Sequence, residues 1–331
     1  MKMQEIIELE MESNLPIKRG NGCRKTLMKG FDEPEIYRSV LQALTAGVFM
    51  VDRELHVVFW NEGAEAITGH LSQEMLGRQC SDHLLGHIDR ENNMLSGMAA
   101  PVGTAMRDGR AIEAQLSLRH KSGYPVLVRL RAMPIRDGSG RILGAAECFE
   151  QAGSSLHFDH RLSKLVELGC TDPLTGALTH EYTQTQIRER IETFMLHRVP
   201  FSVLAIKVDH IDDLRARDGS GAVSTVMRVV ARTLANSLRP TDLLGRWTET
   251  EFLAVAMECN VWEVMRVGDR LRRMVHCAEA TWWGDHIRLT ASMGGAGAKE
   301  GDGAETIVER ARAALEESIQ QGGDRVIVHQ D

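Results

Sequence analysis

Apolar positions recur with two different periods along this chain, every second residue in some stretches and every third or fourth in others. The stretch GVFMVDRELHVVFWN (47–61) predicts two short strands across a turn at 52–54. Residues 111–151 predict three more strands, separated by turn signals at 121–123 and 137–140. Helix-like segments at 62–69 and 72–107 lie between the two groups. This order predicts a small antiparallel sheet of five strands with helices on one face.

After residue 170 the signals for helices and strands alternate. A turn at TDPLTG (171–176) precedes a predicted helix that extends to about residue 198. The further predicted elements are a strand at 201–209, a helix at 220–238 that ends before Pro240, two strands at 242–247 and 251–257 that can form a hairpin, a helix at 261–278, a strand at 286–298, a helix at 304–321 and a strand at 324–329. The βαββαβ order by itself suggests a ferredoxin-like sheet with helices on one side.

The composition indicates a globular protein of two domains. The chain has 331 residues, of which 43% are hydrophobic and 26% charged, enough for two medium-sized cores. No apolar run reaches the roughly 18 residues of a membrane helix, and the acidic N-terminal stretch lacks the apolar segment of a signal peptide. We therefore expect a cytoplasmic protein. Six scattered cysteines without a C-x-x-C pair argue against a disulfide framework or structural zinc, and a net charge of -7 argues against nucleic-acid binding.

The first half resembles a PAS domain over residues 35–150, and the stretches 51–78 and 120–150 carry the resemblance. The resemblance implies a sensor or dimerisation module whose sheet and helices enclose a small pocket. We expect four segments: a flexible N-terminal segment (1–34), the PAS domain (35–152), a signalling linker helix (153–170) and a second domain (171–331).

Three residues of the PAS half are candidate ligand contacts: Cys80, His83 and His87, in the pattern C-x-x-H-x-x-x-H. They are either a heme or metal ligand set or ordinary packing on a helix surface or in the core, since no fourth ligand is evident. Similar PAS sequences carry further cysteines where Ser96 and Ala100 stand here. The aliphatic lining either encloses a small ligand or is simply core; its residues are Val48, Phe49, Ile67, Leu116 and Leu130.

The predicted linker has apolar residues at helical spacing between charges. They are Phe158, Leu162, Leu165, Val166 and Leu168. The segment is either a packed helix or a short two-stranded coiled coil, because about two heptads do not distinguish them. A self-complementary stripe of this kind leads us to expect a homodimer with two-fold symmetry.

The second half resembles a GGDEF domain, the family of diguanylate cyclases that join two GTP molecules into cyclic di-GMP. TDPLTGALTH (171–180) is similar to the opening D-x-L-T-G-x-x-N-R, with Thr179 and His180 where Asn and Arg are usual. RWTETEF (246–252) stands where R-Y-G-G-D/E-E-F is expected, and GGDRVIV (322–328) resembles the closing G-R-N-R-V. The two resemblances imply an α+β protein: a PAS fold plus a nucleotide-cyclase-like βαββαβ domain with helices around a central sheet.

Carried over by resemblance, the catalytic positions are altered throughout. The two metal-binding acids fall on Lys207 and Thr250, the phosphate-contacting Lys on Asp212, the base-contacting Asn and Asp on Arg215 and Ser224, and the Gly-Gly pair on Thr248 and Glu249. Of the nearby acids, Asp209 and Glu251 remain. Since Mg²⁺ requires carboxylates and an ammonium repels it, we expect a catalytically inactive domain. The alternative is an active cyclase with a metal site rebuilt from Asp209 and Glu251.

Arg239 and Asp242 match the R-x-x-D of the family's inhibitory product site, seven residues before Arg246. A guanidinium can donate to guanine or phosphate oxygens and a carboxylate can accept from guanine, so the pair could bind cyclic di-GMP; equally, the motif could cap a helix and start a strand. The family's helping basic residues align with Ile319 and Gly323. We therefore expect a signalling protein whose silent GGDEF domain is a cyclic di-GMP receptor or a protein-interaction module. A dimeric scaffold that binds no nucleotide is a second alternative.

Overall fold

The computed structural model describes residues 34–80, 85–89, 93–152 and 164–329. The chain divides into two compact units with a boundary at residues 152–153. Both combine helices with a sheet, so the predicted α+β class is confirmed. Among the helices of the described residues, none combines the length and the apolar character needed to cross a membrane.

The first unit is a curled antiparallel sheet with helices. Its helices are α1 (Pro34–Ala43), α2 (Glu62–Thr68), α3 (Ser72–Met75) and α4 (Pro101–Asp108). Its strands are β1 (Gly47–Asp52), β2 (Val57–Trp60), β3 (His87–Ile88), β4 (Met94–Leu95), β5 (Ile112–Arg119), β6 (Pro125–Arg136) and β7 (Ile142–Gln151), in the order β2-β1-β7-β6-β5-β3-β4. The five predicted strands are present.

The helix-like interpretation of 72–107 is only partly correct. Helices occupy its two ends, but β3 and β4 lie between them and extend the sheet. Gly86 and Gly97 have positive φ and Pro101 begins α4, so the backbone cannot continue as one helix through this stretch.

The register of β7 organises the interior of the first unit. β7 lies between β1 and β6, with Glu147 opposite both Phe49 and Ala132. Phe49 packs against Trp60 and Phe149, at ring-centroid distances of 5.6 and 6.3 Å. The opposite face of the sheet packs against Leu41 of α1. Large side chains therefore fill one face of β7 around the single carboxylate of Glu147.

The second unit has a five-stranded sheet and a separate hairpin. Its helices are α5 (His180–His197), α6 (Ile211–Ser237), α7 (Val261–Cys277) and α8 (Ala304–Gln320). Its strands are β8 (Phe201–Val208), β9 (Leu243–Arg246), β10 (Glu251–Met257), β11 (Glu279–Trp282), β12 (Asp285–Arg288), β13 (Ala291–Gly297) and β14 (Val326–His329). The main sheet has the order β14-β13-β8-β10-β9, and β11 pairs with β12.

Helices cover both faces of this sheet. Alternate residues of β8 point to opposite sides: Ile206 packs in a core with α6 and α7, whereas Val203 packs in a core with α5 and α8. The expectation of helices on one side, drawn from element order alone, is wrong, because β8 is apolar on both faces. The helices around a central sheet that the resemblance implied are confirmed.

Two further boundaries differ from the predictions. The helix predicted at 220–238 begins at Ile211, and Gly219 interrupts it with φ 80° and ψ −179°. The strand predicted at 286–298 is two strands, β12 and β13, and the first of them forms a hairpin with β11 that was not predicted. The predicted N-terminal segment and most of the predicted linker helix lie outside the described residues.

Candidate functional site

The loop between β9 and β10 carries the altered signature. Cross-strand pairing sets Phe252 opposite Arg246 on β9 and Glu251 opposite Lys207 on β8. The Thr248 hydroxyl accepts hydrogen bonds from the backbone N–H groups of Thr250 and Glu251, at 3.3 and 3.1 Å. Among the described residues, positive φ values do not occur in this loop. Thr248 and Glu249 therefore occupy the glycine positions without left-handed backbone.

Two residues of the opening motif, Asp172 and His180, contact this loop and the end of β9. Arg246 Nη1 lies 2.9 and 3.0 Å from the two carboxylate oxygens of Asp172, and Arg246 Nη2 donates to the carbonyl of Glu249 at 3.0 Å. His180 stacks on Trp247 with ring centroids 3.8 Å apart. Burial alone raises the pKa of Asp172, but hydrogen bonds from Thr175 and Arg246 outweigh it, so this pKa is lowered. Asp172 is thus an anion, and its carboxylate holds the loop in place through Arg246.

The first of the two remaining acids, Glu251, faces cations. It lies directly opposite Lys207, so both side chains project from the same face of the sheet. Arg312 on α8 approaches with Nη2 3.4 Å from Glu251 Oε2, an ion pair too poorly aligned to count as a hydrogen bond. The Glu251 carboxylate thus has one ion-pair partner, Arg312, and stands on the same face of the sheet as Lys207.

The second remaining acid, Asp209, is held by the fold. Its Oδ1 accepts a hydrogen bond from Ser292 at 2.6 Å, and its Oδ2 accepts from the backbone N–H of Asp324 at 3.2 Å. Within the described ranges, the structure brings together no three His, Cys, Asp or Glu residues that could hold a metal ion. With the Lys207 ammonium at the position of a metal-binding acid, these residues do not fit a Mg²⁺ site.

A position expected to contact a base, Arg215, contacts Glu249, which stands at the second position of the expected Gly-Gly pair. Arg215 Nη1 donates to Glu249 Oε1 at 2.8 Å. This hydrogen bond and the attraction between the two charges lower the pKa of Glu249 and raise the pKa of Arg215. Asp212 also raises the pKa of Arg215, but less than Glu249 does. Asp212 is exposed and Ser224 is half-buried on α6. An internal ion pair therefore spans the region where the family would bind its nucleotide.

The R-x-x-D residues form a tight turn before β9. Asp242 is 7% exposed, and its carboxylate accepts from the backbone N–H groups of Arg239 and Met257, each at 3.0 Å. The Arg239 side chain is exposed and makes no hydrogen bond or ion pair with any described residue. Asp242 thus stabilises the turn through backbone contacts, and Arg239 leaves its guanidinium available.

Arg270 on α7 belongs to the same surface, and sequence reasoning missed it. Partial desolvation lowers the pKa of its guanidinium, Asp242 opposes this effect and Arg239 adds to it, so the three charges interact. Like Arg239, Arg270 has an exposed side chain without a hydrogen bond or ion pair to any described residue. In the sequence, Arg270 is one of several arginines on the charged face of an amphipathic helix, so nothing marks it as a site residue. Of the positions predicted by alignment, Ile319 is exposed on α8 and Gly323 lies against Asp209.

The candidate ligand residues of the first unit have different surroundings. His87 is buried on β3, and its Nε2 lies 3.0 Å from Glu147 Oε1. Cys80 is half-buried beyond β2, and His83 lies outside the described residues. Because His87 Nε2 is engaged by a carboxylate, this nitrogen does not fit the role of an axial heme ligand. Glu147 is a partner that sequence reasoning did not identify.

Comparison with protein families matches both units. The model described as "PAS fold" matches residues 35–148, and the model described as "Diguanylate cyclase, GGDEF domain" matches residues 170–325. These ranges coincide closely with the two resemblances drawn from the motifs.

Curated relatives match between half and four fifths of the chain. Diguanylate cyclase A of Treponema denticola is 29% identical over 168 residues, covering 50% of this chain and 45% of that protein. The probable diguanylate cyclase DgcE of Escherichia coli is 24% identical over 264 residues, covering 80% of this chain and 23% of its own length. The response regulator PleD of Caulobacter vibrioides is 27% identical over 176 residues, 52% of this chain and 37% of that protein. The chain thus spans less than half the length of each of these relatives.

Solved structures also resemble the second unit. Diguanylate cyclase SiaD from Pseudomonas aeruginosa, in complex with its activator SiaC, is 25% identical with a TM-score of 0.48, and the match covers 52% of this chain and 68% of that one. The GGDEF domain of DgcB from Caulobacter crescentus, in complex with c-di-GMP, is 20% identical with a TM-score of 0.48, covering 49% and 94% respectively.

Proposed function

Since this chain carries a PAS domain followed by a GGDEF domain, the domain of cyclic di-GMP signalling, we propose that its GGDEF domain is a catalytically silent receptor for cyclic di-GMP. In this proposal the PAS domain supplies the input and a homodimer is the working form. Two of the three curated relatives described above are named as diguanylate cyclases, so the proposal departs from them in activity while retaining the product as ligand.

Three changes in the catalytic region support the absence of catalysis. Lys207 carries a positive charge where the condensation of two GTP molecules requires a divalent cation bridging phosphate oxygens. Of the two remaining acids, Glu251 forms an ion pair with Arg312, and Asp209 accepts a hydrogen bond from Ser292. Arg215 and Glu249 neutralise each other at the nucleotide-facing end of the loop. Metal, phosphate and base contacts are lost together, and no single compensating change is present among the described residues.

The single observation that favours a receptor is the pair of unpartnered guanidinium groups beside Asp242. Arg239 and Arg270 both have exposed side chains, and neither has an ion-pair partner among the described residues. The positive charge of Arg239 contributes to lowering the pKa of Arg270, after desolvation. Two like charges kept together on a surface are stabilised by an anion between them, and cyclic di-GMP supplies two phosphates and guanine O6 and N7 acceptors. The buried Asp242 holds the backbone of the turn, so the arginines carry most of the contact in this proposal.

Isothermal titration calorimetry with cyclic di-GMP tests the receptor. The unmodified protein is expected to bind, and R239A and R270A are each expected to weaken binding by about tenfold or more, since each removes a charge-assisted contact. R228A, which removes an exposed arginine from α6, is the matched control and is expected to bind normally. Absence of binding heat in the unmodified protein would exclude the receptor and leave a scaffold that binds no nucleotide.

Incubation with GTP and Mg²⁺ tests the absence of catalysis separately. Chromatography coupled to mass spectrometry is expected to find no cyclic di-GMP, whereas product that accumulates in proportion to enzyme concentration would establish an active cyclase with a divergent site. Because the two assays are independent, a silent protein that fails to bind and an active protein that does bind are both recognisable.

A further inference from the structure

The PAS domain contains a buried acid and base in direct contact. His87 Nε2 and Glu147 Oε1 are 3.0 Å apart, and their side chains are 3% and 0% exposed. The second carboxylate oxygen, Glu147 Oε2, is buried and has no hydrogen-bond partner among the described residues. An acceptor left unsatisfied in a protein interior costs about 1–3 kcal/mol, and more when it is charged. Such an atom in a protein interior requires an explanation.

The surroundings of Glu147 are apolar and aromatic. Phe49 on β1 and Ala132 on β6 are its direct cross-strand neighbours, and Ala145 and Phe149 share its face of β7. Ala132 and Ala145 are fully buried and small, so they offer neither a hydrogen bond nor much volume beside the carboxylate. Among the described residues, His87 is the hydrogen-bond partner of the Glu147 carboxylate, and the rings of Phe49 and Phe149 are on the same face of the sheet.

Structural stability alone does not account for this arrangement. Replacing a buried ion pair by apolar residues of similar volume is often neutral or stabilising, so His87 and Glu147 are not required for a stable core. A carboxylate near aromatic rings is instead the chemistry that recognises organic cations, through a charge-assisted hydrogen bond and attraction to the ring faces.

We propose that the PAS domain binds a small organic ammonium in its interior, with Glu147 Oε2 accepting the N–H of the ligand and His87 holding the carboxylate in place through Oε1. An ammonium satisfies the unpartnered oxygen and places a cation directly against it, which makes the hydrogen bond charge-assisted. Anionic ligands are disfavoured, because a carboxylate oxygen only accepts and would repel their charge. A neutral alcohol can form the hydrogen bond, but its donor carries no charge, so the bond is weaker.

Benzylamine and benzyl alcohol are suitable probes, because they have the same ring and differ in the charge of the donor. We expect benzylamine to raise the Tm of the full chain in a concentration-dependent way, and benzyl alcohol to have at most a tenth of the affinity. E147Q, which retains the side-chain volume and removes the charge, is expected to weaken benzylamine binding about tenfold or more. E150Q changes an exposed acid on the same strand and is the matched control, expected to bind like the unmodified protein.

The readouts also cover a variant that folds poorly. Near-ultraviolet circular dichroism establishes whether E147Q is folded. If it is not, ¹⁵N-histidine spectra of the unmodified protein report directly on the His87 ring. The His87 resonance is assigned as the one that is missing in H87Q, and it is expected to shift when benzylamine is added. The proposal is overturned if benzylamine affects neither Tm nor the His87 resonance, if folded E147Q binds it as well as the unmodified protein, or if benzyl alcohol binds equally well. None of these outcomes depends on whether cyclic di-GMP binds the GGDEF domain.

Discussion

Asp242 and Arg239 belong to one motif, but replacing them is expected to affect stability to very different extents. Asp242 is buried, and its carboxylate joins the turn at residue 239 to the end of β10 at residue 257 by two backbone hydrogen bonds of 3.0 Å. The Arg239 side chain is exposed, and only its backbone N–H takes part in these contacts. Asp242→Ala removes both bonds, whereas Arg239→Ala leaves both in place.

The size of the effect follows from the two bonds. A hydrogen bond to a charged group contributes about 1.5–3 kcal/mol, and part of that is recovered where water reaches the released N–H groups. We expect Asp242→Ala to reduce the free energy of unfolding of the GGDEF domain by about 2–4 kcal/mol. Arg239→Ala is expected to change it by no more than about 0.5 kcal/mol, as is usual for an exposed side chain without contacts.

Urea unfolding followed by tryptophan fluorescence measures both variants. Four of the five tryptophans belong to the GGDEF domain and report mainly on its transition: Trp247, Trp262, Trp282 and Trp283. If Asp242→Ala and Arg239→Ala proved equally stable, the carboxylate would not hold the turn, and its burial would need another reason. The comparison also shows which variant suits a binding study, because only Arg239→Ala separates ligand contact from folding.

Three further results are expected. Because the pKa of Asp172 is lowered in the folded protein, its contribution to stability is present above its unfolded pKa of about 3.9 and is lost as pH falls through the lower folded value. We therefore expect the Tm of the unmodified protein to fall more steeply below about pH 4 than the Tm of D172N. Parallel curves of Tm against pH would refute this. Gly294→Ala would place a Cβ 2.0 Å from the backbone nitrogen of Leu315 on α8, so we expect the free energy of unfolding measured in urea to fall by about 3 kcal/mol or more. Gly138→Ala is the control and is expected to change it little, because its Cβ would meet no atom within 4 Å. Lys207→Asp alone is expected to yield no cyclic di-GMP by mass spectrometry, because Arg312 and the Arg215–Glu249 pair remain; product would show that one carboxylate restores the metal site.

The sequence predicted best those elements whose burial is simple. β8 is apolar on both faces and α7 is strongly amphipathic, so periodicity alone located them. The β11–β12 hairpin was missed, because its turn at Trp283-Gly284 lacks the usual Asn or Asp and Trp283 takes the left-handed conformation with φ 49°. The short strands β3 and β4 lie among glycines in a stretch too brief for either period to be recognised.

The candidate sites were predictable only in part. Motif positions located Lys207, which replaces a metal-binding acid, and Arg239, which matches its motif, because both can be read along the chain. The partners of other site residues come from distant segments: Arg312 on α8 pairs with Glu251, and Glu147 contacts His87 across sixty residues. The charge of Arg270 on α7 interacts with that of Asp242. Such pairs depend on tertiary packing, which a single sequence without its fold does not reveal.

The ion pair between Arg215 and Glu249 has a consequence for how this protein responds to metabolism. A purine nucleotide entering that region has to separate the two side chains first, so its apparent affinity falls by the stability of their contact. Because both side chains are exposed, that contact is weak, and it reduces nucleotide affinity several-fold at most. In the proposed receptor, ligands at the turn before β9 or in the interior of the PAS domain meet no such barrier.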